Sequence, residues 1–369
     1  MPLAVAAIAK SQDWVIGAGF DRLNLAANAV TIAALFSLLG RWVTRSSIRV
    51  LTLLFVMLQP YGPFRFSYYY PLLVDASSLA CLTLATAAIE WWSDRPTMPR
   101  LATVTLLVAC GVLVREIALV AGLGMWLVAA KDDAPEPAAS GWWNDLKKRA
   151  RLLQWVPLAV GAGVLVGLHL WITPLPSDYT TLSEVRRWIS EKSLQQYVVA
   201  LFLVFGPVLT VAFYRWRSSA RFLMANPALA APLGALLVLA WIGGSDTERL
   251  LVFATPVVAI LIARALESIE HFSSRAVLVL LILQTLAMRP FMPIGGPVQP
   301  PVAGTEVWER LGWAEVAWFF SYENMWSRFC PTPVLYAYTA FFSITAVLVV
   351  VLLRNDASPH TRHMLRSGW

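Results

Sequence analysis

The sequence contains few charged residues. Asp, Glu, Lys and Arg make up 14% of its 369 residues, whereas 58% are hydrophobic. A soluble domain typically has about 25% charged and about 45–50% apolar residues, so this composition excludes an ordinary water-soluble globular protein. Because apolar runs recur along nearly the whole chain, we expect residues 1–369 to form a single polytopic membrane domain that is all-α, a transmembrane helical bundle.

Cysteine and histidine are also scarce, with three and four residues respectively. Cys81 and Cys110 lie within apolar runs and Cys330 stands alone in a polar stretch, which argues against a disulfide framework and against a metal or redox motif. We expect His360 and His363 in the C-terminal tail to be exposed to solvent. The sequence also lacks a glycine-rich phosphate loop, a Ser-His-Asp arrangement and an internal repeat.

Long apolar runs are what the sequence has in abundance. A bilayer core about 30 Å thick needs roughly 20 apolar residues in a helix, and fewer where helices are broken. Hydropathy therefore predicts about eleven membrane segments. The full-length candidates are 23–39, 71–91, 152–173, 197–214, 222–242 and 334–353, and the shorter ones are 50–59, 101–114, 117–130, 250–266 and 276–288.

The positions of the basic residues agree with this number of segments, because basic and non-basic loops then alternate along the chain. The 29 Lys and Arg exceed the 22 Asp and Glu, and by the positive-inside rule the basic loops face the cytoplasm, so the excess gives no reason to expect nucleic acid as a partner. The cytoplasmic bases are Arg41, Arg45, Arg49, Arg95, Arg100, Lys131, Lys147, Lys148, Arg149, Arg151, Arg215, Arg217, Arg221, Arg264, Arg275, Arg354, Arg362 and Arg366. The N-terminus is then outside and the tail, 354–369, is cytoplasmic.

Two outer segments are long enough to carry structure of their own. In 174–195, apolar and charged residues alternate near helical spacing over 182–195, which predicts an amphipathic helix on the membrane surface. The loop 289–333 becomes rich in tryptophan after residue 307. Its rings suit the boundary between water and lipid, and a sugar-stacking platform is the alternative.

Ionisable residues at membrane depth mark function by default, because burying a charge in the bilayer is costly. Asp75 lies near the outer start of a predicted helix, where the helix dipole also favours an acid. Arg115 and Glu116 interrupt an apolar stretch of about thirty residues, which predicts two short helices meeting at an outward-facing break. Arg115 could alternatively anchor backbone carbonyls.

A third group lies in a short outer loop that leads into the apolar run 250–266. Asp246 could cap the following helix, while Arg249 in its first turn opposes the helix dipole and is better explained by an anionic ligand. Arg65 precedes a run of tyrosines. Together these groups predict an outer pocket in which Arg115, Arg249 and Arg65 bind phosphate and Asp246 contacts an acceptor hydroxyl or a divalent cation.

At these positions the chain resembles the GT-C superfamily of integral-membrane glycosyltransferases. The matching features are the helix start from Tyr70 and Pro71 to Asp75, the break at Arg115 and Glu116, and the loop 246–249 entering a helix with Pro256. The segment 2–9 is similar to the stretch that leads from the first outer loop toward the second helix of this superfamily. The sequence begins downstream of the first helix and acidic outer loop of that superfamily. Either these lie upstream of residue 1, or the first helix is supplied elsewhere, or the chain is a degenerate relative.

The resemblance implies a polyprenyl-phosphate sugar as donor, membrane lipids as surroundings, and an active face directed outward from a bacterial plasma membrane. Arg115 and Arg249 would hold the donor phosphate while a lipid, glycan or protein acceptor attacks the sugar. Asp75 and Glu116 are the candidate catalytic bases. A secondary transporter, a membrane acyltransferase and a non-catalytic assembly subunit are the alternatives.

Overall fold

The structure is a computed structural model that describes residues 16–62, 64–65, 75–128, 152–171, 185–186, 189–190, 192–243, 247–269, 272–288 and 332–356. Every regular element in these ranges is a helix, as the sequence predicts. The chain divides into two compact units. Unit 1 comprises Met1–Leu38, Tyr70–Thr180 and Ala220–Val238, and unit 2 comprises Leu39–Tyr69, Thr181–Ser219 and Leu239–Trp369.

The helices of the first half of the described chain are α1 (Ile16–Trp42), α2 (Ser46–Met57), α3 (Asp75–Asp94), α4 (Met98–Val114), α5 (Leu119–Leu127) and α6 (Val156–Trp171). Those of the second half are α7 (Leu194–Phe205), α8 (Leu209–Tyr214), α9 (Trp216–Ala225), α10 (Pro227–Ile242), α11 (Thr247–Leu251), α12 (Thr255–Glu267), α13 (Ser274–Met288) and α14 (Thr332–Asp356). Single 3₁₀ turns, Glu116–Ala118 and Val252–Ala254, precede α5 and α12.

Small residues bring the helices of unit 1 close together. Helix α4 packs against α3 and α6, and α5 also contacts both α3 and α6. A Cβ atom added at Gly161 in α6 would lie 2.8 Å from Leu119 Cδ1 and 3.0 Å from Val108 Cγ1. In lipid there is no hydrophobic driving force between helices, so the close approach of their backbones is a main source of helix association. Larger residues at Gly161 would therefore separate α6 from α4 and α5.

In unit 2 the core contains larger side chains. Helices α2 and α8 pack against α12, and α14 packs against α7, α8 and α13. Val199 and Leu203 of α7, with Tyr338 and Phe342 of α14, belong to one buried cluster. The ring centroids of Phe202 and Phe342 lie 5.5 Å apart, so aromatic stacking adds to the contact between α7 and α14.

A broken helix crosses this core at Gly206, which lies between α7 and α8. Gly206 has φ +76°, a conformation that favours glycine. Gln284 of α13, fully buried, satisfies the backbone groups that the break releases. Its Nε2 donates to the carbonyls of Phe205 (2.9 Å) and Leu58 (3.3 Å), and its Oε1 accepts from the Val208 N–H (3.3 Å).

The structure supports a membrane protein but not the predicted number of crossings. Within the described residues, three helices are long and apolar enough to cross a bilayer: Gly19–Trp42, Thr247–Glu267 and Thr332–Arg354. A fourth span results if α9 and α10, which are bent by 113°, count as one. About eleven crossings are therefore not confirmed, because hydropathy does not register breaks inside apolar runs. The runs 197–214 and 222–242 are two such cases.

The outer segment 174–195 is described only at residues 185–186, 189–190 and 192–195, and the first two of these ranges are helical. Ser193 caps α7 through a reciprocal capping box with Gln196, so Leu194 and Gln195 belong to α7 rather than to a surface helix. Lys192, expected on a polar face, is buried, and its Nζ donates to the carbonyls of Ala240 (3.0 Å) and Trp241 (2.7 Å). Most of 289–333 and of the tail 354–369 lies outside the described residues.

Candidate functional site

In unit 1 an ion pair joins Asp75 to Arg115. Asp75 is the first described residue of α3, and its Oδ1 accepts a hydrogen bond from Arg115 Nη1. The side chains are 7% and 18% exposed, respectively. The two residues are separated by forty positions in the sequence. The pair is therefore a tertiary contact that anchors the start of α3 to the end of α4.

The predicted break in the apolar run is present at Arg115. Helix α4 ends at Val114, and Arg115 has an extended backbone with φ −162° and ψ 136°. A 3₁₀ turn, Glu116–Ala118, then leads into α5. The Arg115 N–H donates to the Gly111 carbonyl (2.8 Å), and the Arg115 carbonyl accepts from the Ala118 N–H (3.1 Å). The backbone at the break is thus hydrogen-bonded on both sides of Arg115.

Gly111 explains why the chain can fold back at this point. A Cβ atom at Gly111 would lie 2.6 Å from Ala118 Cβ and 3.3 Å from Cys81 Cβ of α3. The first distance is shorter than real Cβ contacts, so the 3₁₀ turn packs against α4 only because residue 111 has no side chain. Gly111 thereby brings α3, α4 and the turn together beside the ion pair.

Glu116, the second candidate base, is exposed at the start of the 3₁₀ turn. Adjacent residues on a helix point about 100° apart, and the neighbouring Arg115 contacts Asp75. A guanidinium group carries five N–H donors, so its pairing with one carboxylate is compatible with binding a second anion. The ion pair positions the Arg115 side chain, while Glu116 lies open to a ligand or to solvent.

Sequence analysis missed two buried amides in unit 1. Asn24 and Asn28 of α1 are 2% and 5% exposed. They lie one turn apart on one face of the helix, and Asn24 is also one turn before Ala27. Ala27 packs with Ala76 and Ala80 of α3, immediately after Asp75. The signal was available, because asparagines four residues apart in an apolar helix indicate a polar face directed at protein rather than lipid.

The remaining candidate arginines lie in unit 2. Arg65 is 3% exposed and its Nη1 donates to the Pro60 carbonyl at 2.8 Å, so it anchors its own loop. Arg249 is the third residue of α11 and is half-buried. Asp246, predicted to cap this helix, lies outside the described residues. The predicted pocket combines residues of units 1 and 2, and it stays a prediction.

Glu248 in unit 2 is a buried acid that the sequence did not single out. It lies in the first turn of α11, with 1% of its surface exposed. An acid in the first helical turn interacts favourably with the helix dipole. Burial of Thr247 and Glu248 makes the start of α11 a polar region at the predicted outer end of a candidate span.

Contacts within unit 2 agree with the predicted sidedness of its loops. The Glu267 carboxylate Oε1 accepts from the N–H groups of Thr44 (2.7 Å) and Arg45 (3.0 Å), and Arg45 Nη2 donates to the Glu267 carbonyl. Arg215 Nη2 donates to the Ser268 carbonyl at 3.2 Å. These residues come from three loops that the charge pattern assigns to the cytoplasmic side.

No metal centre is found in the part of the chain that the structure describes: no three His, Cys, Asp or Glu side chains there are arranged to hold a metal ion. The candidate cation ligand Asp246 falls outside that part. Comparison with known proteins adds no functional assignment, since the chain matches no family model, no curated protein and no solved structure.

Proposed function

We propose that the protein is a membrane glycosyltransferase of the GT-C type. It transfers a sugar from a polyprenyl-phosphate-linked donor to a lipid, glycan or protein acceptor at the outer face of a bacterial plasma membrane. The observation that carries the proposal is the ion pair of Asp75 and Arg115 at a break between apolar helices. A charged pair in this position is costly in a membrane protein, and function is the usual reason for one.

In this mechanism Arg115 binds the phosphate of the lipid donor. Its planar guanidinium group can donate two parallel hydrogen bonds to phosphate oxygens, and Asp75 fixes the orientation of that group through the ion pair. The partial exposure of Arg115 supports access by a ligand. Arg249 is a separate candidate phosphate ligand in unit 2, where Arg65 supports its own loop through Pro60.

The transfer step requires a nucleophile, a base and a leaving group. The acceptor hydroxyl gives its proton to the base and attacks the anomeric carbon, and the bond from that carbon to the phosphate oxygen breaks with its electron pair remaining on the phosphate. Glu116 is the better placed base, because it is exposed and beside Arg115, whereas Asp75 is committed to the ion pair. Stabilisation of the departing phosphate by Arg115 is the main catalytic contribution.

Arg115→Lys tests this role. Lysine keeps the positive charge opposite Asp75 but loses the planar fork, so we expect transfer to fall by about 10²-fold with little change in stability. Membranes containing the full chain would be incubated with a panel of polyprenyl-phosphate sugars labelled in the sugar, and the label transferred to endogenous acceptors would be measured.

Arg100→Lys is the matched control for this experiment. Arg100 also lies in unit 1, where its Nη1 donates to the Trp91 carbonyl (2.7 Å) and its guanidinium stacks on the Trp91 ring (4.2 Å) at the predicted cytoplasmic side. It should transfer at the wild-type rate. Absence of transfer by the wild type from every donor, or an unchanged rate in Arg115→Lys, would contradict the proposal.

The orientation of about eleven crossings is a separate part of the proposal. A reporter fused after Lys148 should report a cytoplasmic location, and one fused after Glu306 should report an external location. The contacts among Thr44, Arg45 and Glu267 support the placement of their two loops on the same side of the membrane. The reverse result would place the ion pair of Asp75 and Arg115 on the cytoplasmic side and would remove the outer-face activity.

A further inference from the structure

Helix α9, Trp216–Ala225, has a pattern unlike the apolar helices around it. At 100° per residue, Trp216, Leu223 and Met224 fall on one arc, and Arg217 and Arg221 fall on the adjacent arc. Trp216 is 60% exposed and Met224 is 73% exposed, and both arginines are exposed. Phe222, on another side, is buried and attaches the helix to the protein. The helix thus presents an apolar stripe beside a basic stripe.

A contact of Arg215, the residue before α9, indicates how deep the helix lies in the membrane. Arg215 donates through Nη2 to the carbonyl of Ser268 at 3.2 Å, and Ser268 directly follows the candidate span Thr247–Glu267. The first turn of α9 therefore lies level with the end of a candidate membrane span, where the hydrocarbon core meets the headgroups.

The direction of α9 is also consistent with a position at the boundary between the hydrocarbon core and the headgroups. Helix α10, Pro227–Ile242, contains no charged residue and is bent from α9 by 113°. If α10 runs across the bilayer, α9 runs close to the plane of the membrane. A helix that lies in this plane with Trp and Met on one side and Arg on the other is typical of interfacial binding.

We propose that α9 binds anionic phospholipids of the cytoplasmic leaflet. Trp216 and Met224 insert between the acyl chains, and Arg217 and Arg221 contact the headgroup phosphates. The charge of the helix favours this occupant, since α9 contains two arginines and no acid, and each basic residue near an anionic membrane surface contributes a factor of about five in binding. The stacking of Arg217 on the Trp216 ring, at 5.5 Å, keeps the charge next to the inserted ring.

The insertion is tested with the full chain in lipid nanodiscs. In a background with Cys81, Cys110 and Cys330 replaced by alanine, a bimane fluorophore is attached at Met224→Cys or at Ser218→Cys. Bimane at position 224 should be quenched by lipids brominated in the acyl chain, and bimane at 218 by aqueous iodide. Iodide quenching at 224 would overturn the proposal, as would shielding of 224 from both quenchers, which would indicate coverage by protein or by a second copy of the chain.

Lipid selectivity is tested with the bimane at position 224 and lipids brominated in the acyl chain. The wild type should bind phosphatidylglycerol at least about fivefold more tightly than phosphatidylcholine, and Arg217→Gln/Arg221→Gln should lose this preference. Arg95→Gln/Arg354→Gln removes the same charge from two other exposed arginines and should change the preference by less than about twofold. Equal binding of both lipids by the wild type, or an equal loss in both double variants, would overturn the proposal.

Discussion

Two helix breaks among the described residues, at Gly206 and at Arg115, are stabilised by different chemistry. In unit 2, the break at Gly206 is stabilised by Gln284, a neutral amide that is fully buried and bonds to backbone groups. In unit 1, the break at Arg115 hydrogen-bonds its own backbone through Gly111 and Ala118, yet it carries a charged pair with Asp75. At Gly206, the need to hydrogen-bond the free backbone groups accounts for the buried amide. At Arg115, those groups are already bonded, so the backbone does not require the charged pair.

Under the proposed function, this difference separates a structural device from a functional one. An amide that pairs with carbonyls removes the cost of an interrupted helix, and it works best without solvent. An arginine that remains 18% exposed beside a carboxylate gives up part of the stabilisation that burial would provide, but it stays accessible to an anion. Variants in unit 2 should therefore affect stability, and variants of Arg115 should affect transfer.

Gln284→Leu should give the largest change in stability. The buried backbone groups of Phe205 and Val208 and the partly buried carbonyl of Leu58 lose their partner. Each orphaned group costs about 1–3 kcal/mol, so we expect a loss of about 4 kcal/mol. Unfolding in mixed micelles by detergent titration would measure it. The transfer activity of the remaining folded protein should be unchanged, and a loss below about 1 kcal/mol would show that the amide does not support the break.

Gly206→Ala should have the next largest effect. A Cβ atom at this position would lie 2.3 Å from Gln284 Oε1, and the backbone has φ +76°. We expect a loss of about 2–3 kcal/mol from strain and displacement of the amide. Gly163→Ala, at a site with open space around the added Cβ, is the control and should be neutral or slightly stabilising. Equal stability of the two variants would argue against a close fit at Gly206.

Glu267→Gln should have the smallest effect. Its Oε1 accepts from Thr44 and Arg45 at the predicted cytoplasmic side, but this contact is exposed to solvent. A glutamine keeps the oxygen acceptor, and exposed charge contacts contribute little, so a loss of less than about 1 kcal/mol is expected in the same titration. A loss of stability as large as that in Gln284→Leu would contradict the expectation that buried polar contacts stabilise this protein more than exposed ones.

The sequence predicted the features that depend on residues close together in the chain. The charges of Arg115 and Glu116 inside an apolar run predicted a helix break, and the run 250–266 predicted the span that contains α12. The pairing of Arg115 with Asp75 was out of reach, because it joins residues forty positions apart. The break at Gly206 was missed since glycine and proline are tolerated within apolar helices. The bend before α10 had a local signal in Asn226 and Pro227.

A double-mutant cycle on the ion pair tests the central claim, that Arg115 serves transfer rather than folding. Asp75→Asn and Arg115→Gln alone each leave a polar partner uncompensated and should cost about 2 kcal/mol of stability, less than a fully buried pair because Arg115 is partly exposed. The double variant should regain wild-type stability within about 1 kcal/mol, while its transfer rate stays about 10²-fold below wild type. A double variant that recovers both stability and transfer would contradict the account.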